Sequence, residues 1–243
     1  MNEIEIENDN ELYELLNEIR PRPGMYLGIG SLSRLQAYMG GFFHAYNNLK
    51  VKQNPKNYIL PLPFWFFHEF IKNHYGEIAS TAGWCNLILS NNSNDDEKSL
   101  EVFFSLIDIY KNLTVVKCQM AEISEENNKF NLKNKLSPKY SIGNNRKLYS
   151  AIPKVNKIFI YELSNNAGYF CTIELENEIH IIMTIEKTDF EIKKFFDNLF
   201  GENLKWNIIS FENVLTKKFC FSVLGPMTFH YDFSLSKLRT IKK

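Results

Sequence analysis

The sequence has no excess charge of either sign: its 243 residues carry 28 Lys and Arg against 28 Asp and Glu. Nucleic-acid binders draw much of their affinity from phosphate neutralisation by a basic surplus, so no nucleic-acid partner is expected. Long hydrophobic runs are missing too. The stretch from Ile59 to Phe67 is broken by Pro61 and Pro63 and falls far short of the ~20 apolar residues of a membrane-spanning helix. Met1 to Glu18 contains seven acidic residues and no Lys or Arg, which is the wrong chemistry for a signal or transit peptide. The expectation is therefore a cytoplasmic protein that does not engage a membrane.

Cysteine is sparse. The four cysteines stand alone at positions 85, 118, 171 and 220, with no CxxC pair and no zinc-ligand spacing. Cys171 and Cys220 lie inside apolar runs, where a small buried hydrophobe is the natural reading, and free thiols in a reducing compartment follow. His68 and His74 are six apart and share no helix face, so they make no metal pair; no metal or other cofactor is expected. There is no GxSxG elbow, and Gly28-Ile29-Gly30 lacks the strand, third glycine and Lys-Ser/Thr ending of a phosphate loop.

Aromatic residues, by contrast, are plentiful: 20 Phe and 12 Tyr suit a well-packed core. The first half reads as helical. Leu12, Leu15, Leu16 and Ile19 recur at helical spacing before Pro21 and Pro23. Leu32, Leu35, Met39, Phe42, Tyr46 and Leu49 mark a second helix beginning near Ser31 or Ser33. Gly40 and Gly41 lie in its middle, where each costs about 1 kcal/mol relative to Ala, so they are expected to admit a closely packed neighbour. Phe64, Phe67, Ile71 and Tyr75 form another stripe, and a short segment around Trp84, Leu87 and Ile88 follows. Asn94 with Glu97 reads as a capping box for a helix burying Leu100, Phe103, Phe104, Ile107 and Tyr110.

The second half changes character. Residues 113–123 alternate loosely and read as a strand, and 124–147, rich in Asn, Lys and Glu, reads as a loop or linker. Strand-like runs follow at 157–163, 168–175 and 179–185, the last two close enough for a hairpin. Thr188 and Glu191 form a second capping box for a helix with Ile192, Phe195, Phe196 and Leu199 inward and Gly201 as its stop. Further strands are expected at 207–211, 217–223 and 227–233. The fold class is α+β: an N-terminal helical domain, 1–112, followed by a C-terminal domain, 113–243, built on a mostly antiparallel sheet with one or two helices.

One motif stands out. Ile19 to Gly28 reads IRPRPGMYLG. Two prolines deny the helix its next turns, Gly24 permits a reversal, and Met25-Tyr26-Leu27 supply a hydrophobic plug, giving a rigid interhelical corner anchored by Tyr26. The string resembles the RPGMYIG segment of type II topoisomerase ATPase subunits such as gyrase B. Those enzymes follow the motif with a helix supplying a catalytic Glu, a magnesium-binding Asn and an Asp. Here no Asp or Glu occurs between Gly28 and His68, and the later Asp-x-Gly-x-Gly motif is absent, so the ATPase reading is rejected.

A broader run is similar to small bacterial RPxMYLG-motif proteins, some of them found beside polymorphic or contact-dependent toxins. After the motif come Ser31-Leu32-Ser33-Arg34-Leu35 through Gly40-Gly41-Phe42. Phe67-His68-Glu69-Phe70-Ile71 through Tyr75 and Gly83-Trp84 follow, and Phe103 to Tyr110 closes the set. The likeness covers roughly residues 10–112 and implies an immunity-like role: stoichiometric occlusion of a cognate toxin, without turnover.

Between Arg20 and His68 the chain carries Arg20, Arg22, Arg34, Lys50, Lys52 and Lys56 but no acid. Either the acidic N-terminal helix lies beside this stretch, or a basic face recognises an acidic partner. Arg and aromatic side chains dominate interface energetics, which makes Arg20, Arg22, Tyr26, Arg34 and Trp65 the candidate partner-binding residues. Two other readings stand beside this one. The protein is a regulatory or scaffold subunit of a defence or stress complex, or an enzyme with a C-terminal site assembled from His180, His230 and Asp232.

Overall fold

The computed structural model describes residues 8–48, 62, 64–77, 82–128, 140–142, 147–149, 155–175, 178–200, 204–215 and 219–220. The chain divides into two compact units, one of Met1–Lys56 with Leu62–Asn112, the other of Asn57–Pro61 with Leu113–Lys243. Helices fill the first and an antiparallel sheet dominates the second, so the fold is α+β.

The first unit begins with α1 (Asn8–Ile19), which buries Leu12, Leu16 and Ile19 on one face. A five-residue helix, α2 (Pro23–Leu27), forms where a bare turn is expected, with Pro23 in its first turn and its fixed φ already helical. Helix α3 (Leu32–Asn48) buries Leu32, Leu35 and Met39. A 3-10 turn (Phe64–Phe66) runs into α4 (Phe67–Tyr75), which Gly76 closes in the left-handed conformation. Helices α5 (Gly83–Asn91) and α6 (Asp96–Lys111) complete the unit.

Aromatic rings fill its core. Phe67 packs edge-on against Phe103 at 5.6 Å and Tyr110 at 5.3 Å between centroids, and Trp84 lies 5.0 Å from Phe103. The α6 stripe of Leu100, Phe103, Phe104, Ile107 and Tyr110 is buried as its spacing requires. Inside α4, Lys72 and Glu69 form a buried ion pair one turn apart, an arrangement whose desolvation cost offsets much of its Coulombic gain.

The second unit carries a six-stranded sheet in the order β7-β1-β4-β5-β6-β8, from β1 (Val115–Glu122), β4 (Val155–Leu163), β5 (Gly168–Leu175), β6 (Glu178–Glu186), β7 (Asn207–Ile209) and β8 (Phe219–Cys220). Five strands run antiparallel to their neighbours; β8 joins β6 in parallel. One face packs on α7 (Asp189–Phe200), where Ile158, Ile160, Cys171 and Ile173 meet Ile192, Phe196, Leu199 and Phe200. On the other face Tyr161 stacks on Phe170 at 4.5 Å and hydrogen-bonds Thr172 Oγ1 at 2.8 Å. Phe211, beside the one-turn helix α8 (Glu212–Leu215), meets Tyr161 edge-on. The central strands β4 and β5 are buried on both faces, which explains why they read as dense apolar runs without clean alternation.

Four local expectations are corrected. The cap of α6 is Asp95, whose Oδ1 accepts from Lys98 N at 3.0 Å; the expected Asn94–Glu97 box is displaced by one residue. Asn94 instead takes the left-handed conformation (φ 58°) and donates its N–H to Leu89 O, closing α5, a role Asn fills better than Asp. Among the described residues Gly40 and Gly41 have no close neighbour: a Cβ on either would meet none of their atoms within 4 Å. The same holds for Gly24, and the left-handed turn of the corner falls at Gly28, φ 81°.

The segment 124–147 is not uniformly a linker. Asn128 is buried and bonds the backbone of Val155 twice, Oδ1 accepting from Val155 N at 2.9 Å and Nδ2 donating to Val155 O at 2.8 Å. Further on, β2 (Tyr140–Ile142) pairs with β3 (Lys147–Tyr149). The expected strands at 221–223 and 227–233 and the stop at Gly201 lie outside the described residues. Among the described residues no helix is long and apolar enough to cross a membrane.

Candidate protein-binding surface

The corner is built from helix ends, and each end needs a partner for its orphan backbone groups. At the N-terminus of α3, Ser31 Oγ accepts from Arg34 N at 3.2 Å. A carboxylate from another helix completes that cap. Asp96, the first residue of α6, accepts from Ser31 Oγ at 2.6 Å, Ser33 N at 2.9 Å and Ser33 Oγ at 3.2 Å. Partial desolvation pushes the Asp96 carboxyl up, but the hydrogen bonds from Ser31, Ser33 and Leu32 outweigh it and hold the group below its ordinary value.

The C-terminus of α2 is tied down in the same way. Gly28 N donates to Gly24 O at 3.0 Å, and Arg34 Nη1 donates to Leu27 O at 2.9 Å. A Cβ on Gly28 would lie 2.9 Å from that Arg34 nitrogen. The sequence IRPRPGMYLG thus folds into a closed circuit in which α6 holds α3 and α3 holds α2.

This circuit divides the apolar residues of the motif. Leu27 is buried, whereas Met25 is 73% exposed and Ile29 56% exposed. Of the expected three-residue plug, Leu27 is buried and Tyr26 half-buried, while Met25 points outward from the helical turn at 23–27; Ile29 follows the left-handed Gly28, outside the helix. Tyr38 of α3, 38% exposed, meets the half-buried Tyr26 ring edge-on at 6.5 Å. Tyr26 OH donates to Glu18 at 3.3 Å, and burial together with the Glu18 charge keeps the phenol protonated well past neutrality.

The candidate residues do not share one role. Arg22 is exposed at the start of α2 and pairs with no carboxylate among the described residues. Arg20 bonds Asp108 at 2.7 Å and lies over the Phe104 ring at 5.4 Å, so it fastens α1 to α6. Arg34 presents its stem at the surface while Nη1 holds Leu27, and replacing it would disturb the corner as well as its charge. The side chain of Trp65 lies outside the described residues. Met25, Ile29 and Tyr38 were not among the candidates.

Chemistry of a catalytic kind has few carriers among the described residues. Burial pushes the Cys85 thiol up to about 11, the Cys118 thiol up to about 12 and the Cys171 thiol higher still, leaving all three protonated and poor nucleophiles at neutral pH. No group of three or more His, Cys, Asp or Glu among the described residues could hold a metal ion. His180 pairs with Ile173 in the β5–β6 ladder, but its imidazole, and all of His230 and Asp232, lie outside the described residues.

A polar cluster at the start of α7 is satisfied internally. Asp189 accepts from Gln119 Nε2 at 2.9 Å and Lys193 Nζ at 2.7 Å, pinning the start of α7 to β1. What the first unit presents is a fixed surface of thioether, aliphatic, phenol and guanidinium groups, suited to non-covalent contact. No protein-family model matches the chain, and comparison with curated proteins and with solved structures finds no match either.

Proposed function

We propose that this protein works by binding a second protein through the corner surface, without turnover, and that its role is immunity-like: it occludes a cognate bacterial toxin. The observation that supports binding is the exposure of Met25 and Ile29 on a turn whose backbone is fixed by Asp96 and Arg34. On a fixed backbone, covering these apolar side chains costs their own rotamer entropy but no loop ordering, which favours affinity. The immunity reading adds the resemblance of residues 10–112 to RPxMYLG proteins, some of them found beside toxins.

The test is quantitative affinity capture from the native host with wild-type and Met25→Glu baits, followed by inhibition of the captured protein's activity. A stoichiometric partner whose toxic activity the wild-type chain abolishes, and which the variant releases, supports the reading. Equal capture by both baits removes the corner from it, and a captured partner that remains fully active removes immunity.

A further inference from the structure

The charge balance of the whole chain conceals how unevenly its charges are placed. Between Asn128 and Val155 the sequence carries six lysines and Arg146, and not one Asp or Glu. Because the chain balances at 28 against 28, its other residues hold an equal surplus of acid. Net charge argues against a nucleic-acid partner for the protein as a whole, but not for this stretch.

Both ends of the stretch are braced at one point of the sheet unit. Asn128 is buried, and its side-chain amide accepts from Val155 N at 2.9 Å and donates to Val155 O at 2.8 Å, standing in for a neighbouring strand at the start of β4. Asn127 Nδ2 donates to Phe200 O at 2.9 Å, which ties the same turn to the end of α7. Two ends held together confine the cations between them to one neighbourhood. Acids border it: Glu125 and Glu126 are exposed just before Asn128, Glu122 pairs with Lys157 at 3.0 Å, Glu174 is buried on β5, and Glu176 and Glu178 follow in the chain. None interrupts the run from Lys129 to Lys154. A polyanion charged at every residue competes with such scattered carboxylates, since each phosphate neutralised releases condensed counterions.

Composition selects the kind of polyanion. Lys meets phosphate as a point charge, without the planar fork by which Arg grips carboxylates and base edges, so a lysine-rich run suits a backbone contacted independently of sequence. Phe130 directly follows Lys129 and Tyr140 directly follows Lys139, and the β2–β3 register sets Tyr140 opposite Tyr149. Aromatic residues interleaved with cations serve single-strand binding, rings stacking on unpaired bases while cations follow the phosphates. An acidic polypeptide offers carboxylates but no bases. We propose that residues 129–154 bind single-stranded nucleic acid through its phosphates, with stacking at the aromatic positions and no reading of base sequence. This binding is independent of the corner.

Fluorescence anisotropy tests it, with labelled oligo-dT and oligo-rU of about twenty nucleotides titrated with the full chain across a salt series. Oligonucleotide should bind at low salt at least about tenfold tighter than poly-glutamate of matched charge, and affinity should fall steeply as salt rises. Lys133→Gln, Lys135→Gln and Lys139→Gln together should flatten the slope of log affinity against log salt by about 2; should that variant fail to fold, Lys139→Gln alone should flatten it by about 0.7. Tyr149→Leu should weaken binding about fivefold or more and leave the slope unchanged.

A preference for oligo-rU names RNA as the strand and a preference for oligo-dT names DNA, on the same phosphate chemistry. No oligonucleotide binding at low salt, poly-glutamate bound as tightly, or a wild-type slope in the lysine variants would overturn the proposal.

Discussion

At the scale of single residues, the corner depends on two positions with little tolerance. Gly28 adopts φ 81°, where an L side chain is strained, and a Cβ built on it would lie 2.9 Å from Arg34 Nη1, which donates to Leu27 O. Gly28→Ala strains the backbone and displaces that hydrogen bond. We expect a loss on the order of 1–3 kcal/mol in urea-denaturation stability; an unchanged midpoint would show that the circuit does not hold the turn. Asp96 is the other position. Its carboxyl is held below its ordinary value in the folded state, so its contribution to stability is fully present above the unfolded-state pKa of about 3.9 and is lost as pH falls through the folded value. Asp96→Asn should therefore be less stable than wild type by about 1–2 kcal/mol at pH 7. The gap should narrow as the pH is lowered through 4 and below, as parallel denaturation series would reveal; a gap that widens in acid contradicts the assignment.

At the scale of elements, much of the fold is legible in the sequence because its apolar periods are strong. The α6 stripe, the β5–β6 hairpin and the inward face of α7 follow directly from spacing. What spacing cannot supply is the identity of the neighbour. Asn94 and Asp95 are both good cap residues, and only the left-handed turn at Asn94 decides between them. Gly40 and Gly41 invite the inference of a packed neighbour, yet a Cβ on either would meet no atom of the described residues within 4 Å. Gly40→Ala and Gly41→Ala should accordingly raise thermal stability, each by up to about 1 kcal/mol, since helix propensity improves and nothing clashes. A destabilised variant would mean that these glycines serve the isolated fold after all.

The candidate site is legible only in part, for the same reason. Arginines and aromatics are flagged by type, but whether a guanidinium is free or engaged depends on residues far along the chain: Arg20 is taken by Asp108, 88 positions away. Met25 looks like a core residue by composition and becomes a surface residue because a short helix forms at Pro23–Leu27; Ile29, past the left-handed Gly28, is exposed as well.

At the scale of the whole molecule, two compact units carry separate hydrophobic cores, and the account assigns partner contact to one of them. The sheet unit exposes apolar side chains of its own, Val116 at 60%, Phe190 at 63% and Ile208 at 72%, so the assignment is a real choice between surfaces. Isolated exposed apolar residues are common and carry no message singly. What distinguishes the corner is that Met25 and Ile29 sit on a backbone cross-braced from two other helices, beside an arginine with no carboxylate partner among the described residues. The most direct test places a photoreactive amino acid in the full chain at position 25 or, as the comparison, at position 116, and maps crosslinks formed in living host cells. The account predicts one dominant protein partner crosslinked from position 25 and none from position 116; a partner trapped from position 116 and not from 25 would contradict it.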